Sequence, residues 1–167
     1  MFTPFESLPP HSRLWIYQGD RKFTTTEKDT ISSRLKAFVE EWSAHGQPMQ
    51  ASFDIRYDQF ILLAADENVC MASGCSIDSS VAAIKEAGSA VGVNLFDRSK
   101  VAFRIQDETL LIPLSELSEK YTGGSWTEHS LVFNNLVPRK ADLENQWLVP
   151  AAATWLRRYV PRETMST

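Results

Sequence analysis

Apolar residues in this chain fall into short runs of two different periods, and the periods lay out its elements. Arg13 to Gln18, reading Arg-Leu-Trp-Ile-Tyr-Gln, is rich in aromatic and β-branched types and runs into Gly19-Asp20, so it predicts a strand closed by a turn. Thr24 and Glu27 then have the capping-box spacing, in which a hydroxyl and a carboxylate satisfy the N–H groups that a new helix leaves free. Ile31, Leu35, Phe38, Val39 and Trp42 recur at helical spacing and predict one buried face on a helix that runs to about Ala44 and ends at His45-Gly46-Gln47-Pro48. Phe53, Ile55 and Tyr57 alternate with Asp54 and Arg56, the two-residue period of a strand with one covered face. The continuous run Phe60-Ile61-Leu62-Leu63-Ala64-Ala65 suits a strand covered on both faces, and the two strands form a hairpin.

A second helix is predicted from about Ile77, with Ile77, Val81, Ile84 and Val91 on one stripe, Ser76 as its N-cap and Gly92 at its end. Val101 to Ile105 and Thr109 to Ile112 read as two strands around Asp107-Glu108, and Leu114 to Tyr121 as a short helix broken by Gly123-Gly124. The last third predicts a strand at Leu131-Val132-Phe133, a helix from Pro138 to Trp147 and a final turn or two carrying Trp155, Leu156 and Tyr159. The order strand, helix, hairpin, helix, strand gives an α+β class with a ferredoxin-like split βαβ core, extended by a C-terminal strand and helices. In that arrangement the strands at 14–17, 53–57, 60–65 and 101–105 share one antiparallel sheet, with both long helices on one face.

Length and composition add bounds. A chain of 167 residues with 43% hydrophobic content suits a single domain, expected here over 13–160 behind an N-terminal arm of residues 1–12 and ahead of a flexible tail over 161–167. No stretch approaches the roughly 18 apolar residues of a membrane span, and the N-terminus lacks the basic start and apolar run of a signal peptide, so a soluble cytoplasmic protein is expected. A formal net charge of -4 argues against nucleic acid as partner. Cys70 and Cys75 are too few to staple a secreted fold and lack the spacing of zinc or redox pairs. His11, His45 and His129 show no metal-ligand spacing, so neither metal nor cofactor is expected.

Two segments carry candidate chemistry. Ser73-Gly74-Cys75-Ser76 is a small-residue loop entering a helix after a buried strand, the arrangement in which backbone N–H groups face an anion and a thiol gains nucleophilicity. Cys75 is the candidate nucleophile, but Asp66, Glu67 and Asp78 make the neighbourhood acidic, and a plain capping loop explains it as well. In Asn134-Asn135-Leu136-Val137-Pro138-Arg139-Lys140 two cations sit in the first turn of a predicted helix, where the macrodipole is already positive. Such misfits often mark function. Converging Asn134, Asn135, Arg139 and Lys140 side chains would hold a carboxylate or phosphate; the alternative is that both cations point into water or pair with Asp142 and Glu144.

Leu14-Trp15-Ile16-Tyr17-Gln18, Ser73-Gly74-Cys75-Ser76-Ile77-Asp78, Asn94-Leu95-Phe96-Asp97-Arg98 and Phe133-Asn134-Asn135-Leu136-Val137 together resemble a family of small, uncharacterised proteins from Bacteroidetes-type bacteria, over about Arg13 to Tyr159. Members are often labelled as ATPases of ABC transporters, and the resemblance implies no catalytic residues that carry over. The label fails a physical test: a P-loop needs G-x-x-x-x-G-K-[ST], and Gly74-Cys75-Ser76-Ile77-Asp78-Ser79-Ser80 lacks both the second glycine and the lysine. Two readings stay open. One is a binding module for a small anionic ligand or a protein partner; the other is a thiol-dependent enzyme or redox protein built on Cys75.

Overall fold

The computed structural model describes residues 1–162. Strand β1 (Arg13–Gln18) leads into helix α1 (Thr25–Glu41), a short hairpin of β2 (Ser43–Ala44) and β3 (Gln47–Pro48), and the strand pair β4 (Ala51–Arg56) and β5 (Phe60–Ala65). The predicted capping box is present: Thr24 accepts from the Glu27 N–H, and the Glu27 carboxylate accepts from the Thr24 N–H. Arg21 grips the same carboxylate at 2.8 Å with each of two nitrogens. That hydrogen bond, with the one from Thr24, holds the Glu27 carboxyl down to about 2.

Strand β5 is the centre of a three-stranded sheet of order β1-β5-β4, antiparallel to both neighbours, and all six of its residues are buried. This is why its sequence shows no alternation. Trp15 and Tyr17, Phe53 and Ile55, and Ile61, Leu63 and Ala65 share one face by register. On that face Ile31, Leu35 and Val39 of α1 pack, with Trp42 at the helix end.

Helix α2 (Gly74–Val91) adds Ile84 and Ala87 to the same core, so both helices cover one face. Its N-cap is Ser73 and not the expected Ser76. Ser76 sits at N3 and answers Ser73 reciprocally, a capping box in which a serine replaces the usual Glu or Gln. The buried stripe runs through Ser76, Ser80, Ile84, Ala87 and Gly88, while Ile77 and Val81 are only half-buried. Small residues were chosen there by close approach: a Cβ on Gly88 would lie 2.7 Å from the Val93 carbonyl oxygen. The buried Ser80 hydroxyl donates to the Ile77 oxygen at 2.6 Å, and burial pushes the Tyr17 phenol up.

The α+β class stands, but the sheet expected to hold residues 101–105 does not include them. Strand β6 (Lys100–Ile105) pairs with β7 (Glu108–Pro113) and with β8 (Leu131–Phe133), in a separate sheet of order β7-β6-β8-β9 completed by β9 (Leu148–Pro150). A local partner wins. Gln106 and Asp107 both adopt positive φ, at 52° and 62°, giving the two-residue hairpin turn whose twist matches its strands. The place beside β1 that a ferredoxin-like fourth strand would occupy holds an irregular segment instead: Arg139 bridges Arg13, and the Leu14 N–H donates to the Pro138 oxygen at 2.9 Å.

Where the sequence reading places one domain over 13–160 behind an arm of 1–12, the chain's contacts divide otherwise. Met1–Asp97 with Asn135–Ala141 forms one unit; Arg98–Asn134 with the described residues from Asp142 on forms a second. Residues 1–12 belong to the first. The terminal ammonium donates to the Val39 and Met49 oxygens, Thr3 pairs with Ala51, and Phe5 and Leu8 are buried. The second unit has its own core of Phe103, Ile112, Trp126, Val132 and Leu156, with α3 (Leu117–Thr122) against it and the Trp126 indole donating to the Leu117 oxygen at 2.8 Å. The helix expected over 138–147 is a single 3-10 turn, Lys140–Leu143. Of the tail expected over 161–167, residues 163–167 lie outside the described residues.

Two outcomes follow from this packing. Gly88→Ala should destabilise by about 1–3 kcal/mol in denaturant unfolding, since neither the Val93 carbonyl nor Leu95 can give way freely; an unchanged midpoint would contradict the close approach. Because the Glu27 carboxyl is depressed in the folded state, its stabilisation is complete above the ordinary carboxylate range and fades as pH falls toward about 2. Arg21→Gln should raise the Glu27 titration midpoint in carbon-detected NMR, and an unmoved midpoint would remove Arg21 as the cause.

Candidate functional site

The segment along the free edge of β1 sets the geometry of the site. The Leu14 N–H donates to the Pro138 oxygen and the Lys140 N–H to the Ser12 oxygen, each at 2.9 Å, so the two bonds flank the Arg13–Arg139 pair without joining it. In an antiparallel pairing this is the non-hydrogen-bonded position, where Cα atoms approach to about 4.5 Å and the side chains leave on the same face. Two arginines therefore stand directly opposite one another. Like charges so placed are destabilising.

Both arginines line an open groove of about 580 Å³, together with His11, Glu67, Asn68 and Pro138, all within the first unit. His11 comes from the turn just before β1, and the turn that follows β5 supplies the other wall. Arg13 lies 3.6 Å from Glu67 and 4.9 Å above the Trp15 ring. The second Glu67 oxygen accepts the Ala72 N–H at 2.8 Å, which ties the groove wall to the approach of α2.

His11 Nε2 lies 2.9 Å from Asp66 Oδ1, with an imidazole that is 41% exposed above a carboxylate that is 10% exposed. Asp66 Oδ1 also accepts the Asn68 N–H at 3.0 Å. A carboxylate only accepts, so the contact with Asp66 is a hydrogen bond where Nε2 carries the proton. The Asn68 side-chain nitrogen lies 3.0 Å from the same His11 nitrogen. Nδ1 has no hydrogen-bond partner among the described residues.

The candidate residues read from sequence divide sharply. Arg139 lines the groove. Lys140 does not: its ammonium donates to the Leu8 and Glu6 oxygens at 2.7 and 3.2 Å and lies over the Phe5 ring, clamping the N-terminal segment. Asn135 donates to the Gln18 side chain at 3.0 Å, and the Asn134 N–H donates to the Trp147 oxygen in the second unit. Of the four residues expected to hold one anion, only Arg139 is among the groove's lining residues.

At the start of α2, Ser73 and Ser76 spend their hydroxyls on the capping box, and the Ser76 oxygen accepts the Trp42 indole N–H at 2.9 Å. Gly74 and Cys75 are exposed, and the Cys75 thiol has no hydrogen-bond or ionic partner among the described residues. Cys75 is not among the groove's lining residues; Cys70 is buried, its thiol 3.5 Å from the Ala44 oxygen. Among the described residues no three His, Cys, Asp or Glu side chains gather where they could hold a metal ion, and no helix is long and apolar enough to cross a membrane. Sequence reasoning missed His11, Arg13, Glu67 and Asn68; a charged residue opening an otherwise apolar strand was the available signal.

No family model matches the chain, and neither a curated protein nor a solved structure matches it.

The clamp gives a direct test of the division of labour between neighbouring cations. Lys140→Met keeps the stem over Phe5 and removes the donors, so amide exchange over residues 5–8 should quicken several-fold while the groove's shifts stay put. Unchanged exchange there would show that the ammonium holds nothing.

Proposed function

We propose that the chain is a binding module that captures a small anionic ligand, carrying a phosphate or carboxylate, in the groove between Arg13, Arg139 and His11. The carrying observation is the opposition of Arg13 and Arg139 at the position where two side chains approach most closely. Guanidinium forks match carboxylate and phosphate oxygens two at a time, and two of them line this groove. Glu67 and Asn68 on the opposite wall add an acceptor and an amide, so the ligand also carries donor groups such as hydroxyls. We place this module in the cytoplasm and assign it no ATPase activity, since the chain has no phosphate-cradling loop with its lysine; its resemblance to the ABC-labelled bacterial family is one of sequence segments only. A thiol mechanism at Cys75 has less support, as no hydrogen-bond or ionic partner among the described residues activates that thiol.

Titration with inorganic phosphate at neutral pH and fixed ionic strength, followed by amide shifts, checks the reading. Arg13, Asn68 and Arg139 should shift together and saturate, and Arg139→Gln should weaken binding about tenfold or more, the scale of one lost charge-assisted pair. Shifts scattered over the surface, or an Arg139→Gln variant that binds as wild type does, would overturn it.

A further inference from the structure

The second unit carries a 3-10 helix near its end, Trp155–Tyr159, whose two sides differ. Three residues per turn align Leu156 with Tyr159 and Trp155 with Arg158. Leu156 and the following Val160 are buried in one core with Trp126, and Tyr159 meets Trp126 edge-on, so that side belongs to the fold. Trp155 points elsewhere and stays 47% exposed, while Trp42, Trp126 and Trp147 are buried. Its ring is held all the same: the Arg158 guanidinium lies 5.2 Å over it, and Tyr159 meets it edge-on at 6.1 Å. We infer that this Trp155–Arg158 surface is a docking site for an acidic peptide segment of a partner protein, which sets carboxylates on the arginines and an apolar side chain against the indole. The inference is independent of the anion groove in the first unit.

Charge selects the partner's chemistry. From Asn145 to Arg162 the chain has three arginines and no Asp or Glu, in a molecule whose formal net charge is -4. Arg157, Arg158 and Arg162 are exposed, and among the described residues none of them forms an ion pair or a side-chain hydrogen bond. Glu128, whose backbone oxygen accepts the Ala152 N–H, has its carboxylate engaged by the Tyr121 hydroxyl at 3.0 Å. A guanidinium stacked on an indole keeps its edge N–H groups for a carboxylate, and the stacking has already fixed its place. Trp and Arg are also the side chains that carry most of the binding energy at protein interfaces. Screening sets the partner's extent. At physiological salt charges more than about 8 Å apart are largely screened, so a short segment on this patch feels the arginines, whereas a bilayer or a nucleic acid also meets the molecule's acidic excess.

A short fluorescently labelled peptide of Glu-Glu-Leu repeats is the probe, with Gln in place of Glu as its uncharged control. On the full chain, anisotropy gives the affinity and the Trp155 indole N–H resonance gives the place of binding. The acidic peptide should shift that resonance to saturation and leave the Trp126 indole, bonded to the Leu117 oxygen, where it was. Trp155→Ala, and separately Arg157→Gln with Arg158→Gln, should each weaken binding about tenfold or more, the scale of an interface anchor. The double arginine variant should also lose most of the salt dependence. An unmoved Trp126 indole in the free variants verifies that they fold. An acidic peptide that leaves the Trp155 resonance in place, a Gln peptide that binds as tightly, or variants that bind as wild type does would overturn the site. Vesicles containing phosphatidylserine and a thymidine oligonucleotide are titrated alongside. If either shifts the Trp155 resonance at lower charge concentration than the peptide, the acidic-peptide assignment is overturned in favour of that ligand.

Discussion

The pairing of residues 138–140 with the outer edge of β1 is the constraint on which the candidate site depends. Two backbone hydrogen bonds close an edge that would otherwise present unpaired N–H and C=O groups, a liability that folded chains manage by covering or charging the strand. The same two bonds fix which residues face each other, and they place Arg139 opposite Arg13. The chain leaves the second unit after Asn134, lends residues to the first and returns at Asp142. Lys140 then fastens the N-terminal segment through the Glu6 and Leu8 oxygens, so one irregular stretch secures both the sheet edge and the residues before β1.

Most of the first unit was legible because its rules are local. The α1 capping box, the apolar stripe from Ile31 to Trp42 and the doubly buried run of β5 each follow from period and cap chemistry within a few residues, and each is found where the sequence places it. The stripe of α2 was misread because burial there is carried by Ser76, Ser80 and Gly88, which hydropathy does not mark; what selects them is approach distance, the Trp42 hydrogen bond to the Ser76 oxygen and the Ser80 hydroxyl's bond to the Ile77 oxygen. The assignment of 101–105 to the first sheet failed for a different reason. Topological analogy asked for a fourth strand beside β1, but a tight Gln106-Asp107 turn made β7 the nearer partner.

The candidate site was legible only as a conflict. Arg139 and Lys140 sat badly in a predicted helix, and the conflict was real even though the helix was not: one cation faces another across the sheet edge, while its neighbour clamps backbone carbonyls. Its remaining members come from sequence positions near 11, 67 and 139, and no local pattern joins them. The Ser73–Ser76 loop offered a stronger local signal, yet its hydroxyls are consumed by the cap. Local consistency there marks a cap, and local inconsistency at Arg139 coincides with a residue that lines the groove.

A double-mutant cycle on Arg13 and Arg139 tests most directly whether the two guanidiniums share one anion. Each arginine is replaced by glutamine singly and together, and unfolding free energies are measured in low salt and again with sulfate present. The cycle isolates the pair from whatever else each side chain touches. The account predicts a repulsive coupling in low salt that becomes favourable when sulfate bridges the two guanidiniums. A coupling of zero, or one already favourable in low salt and unchanged by sulfate, would contradict it.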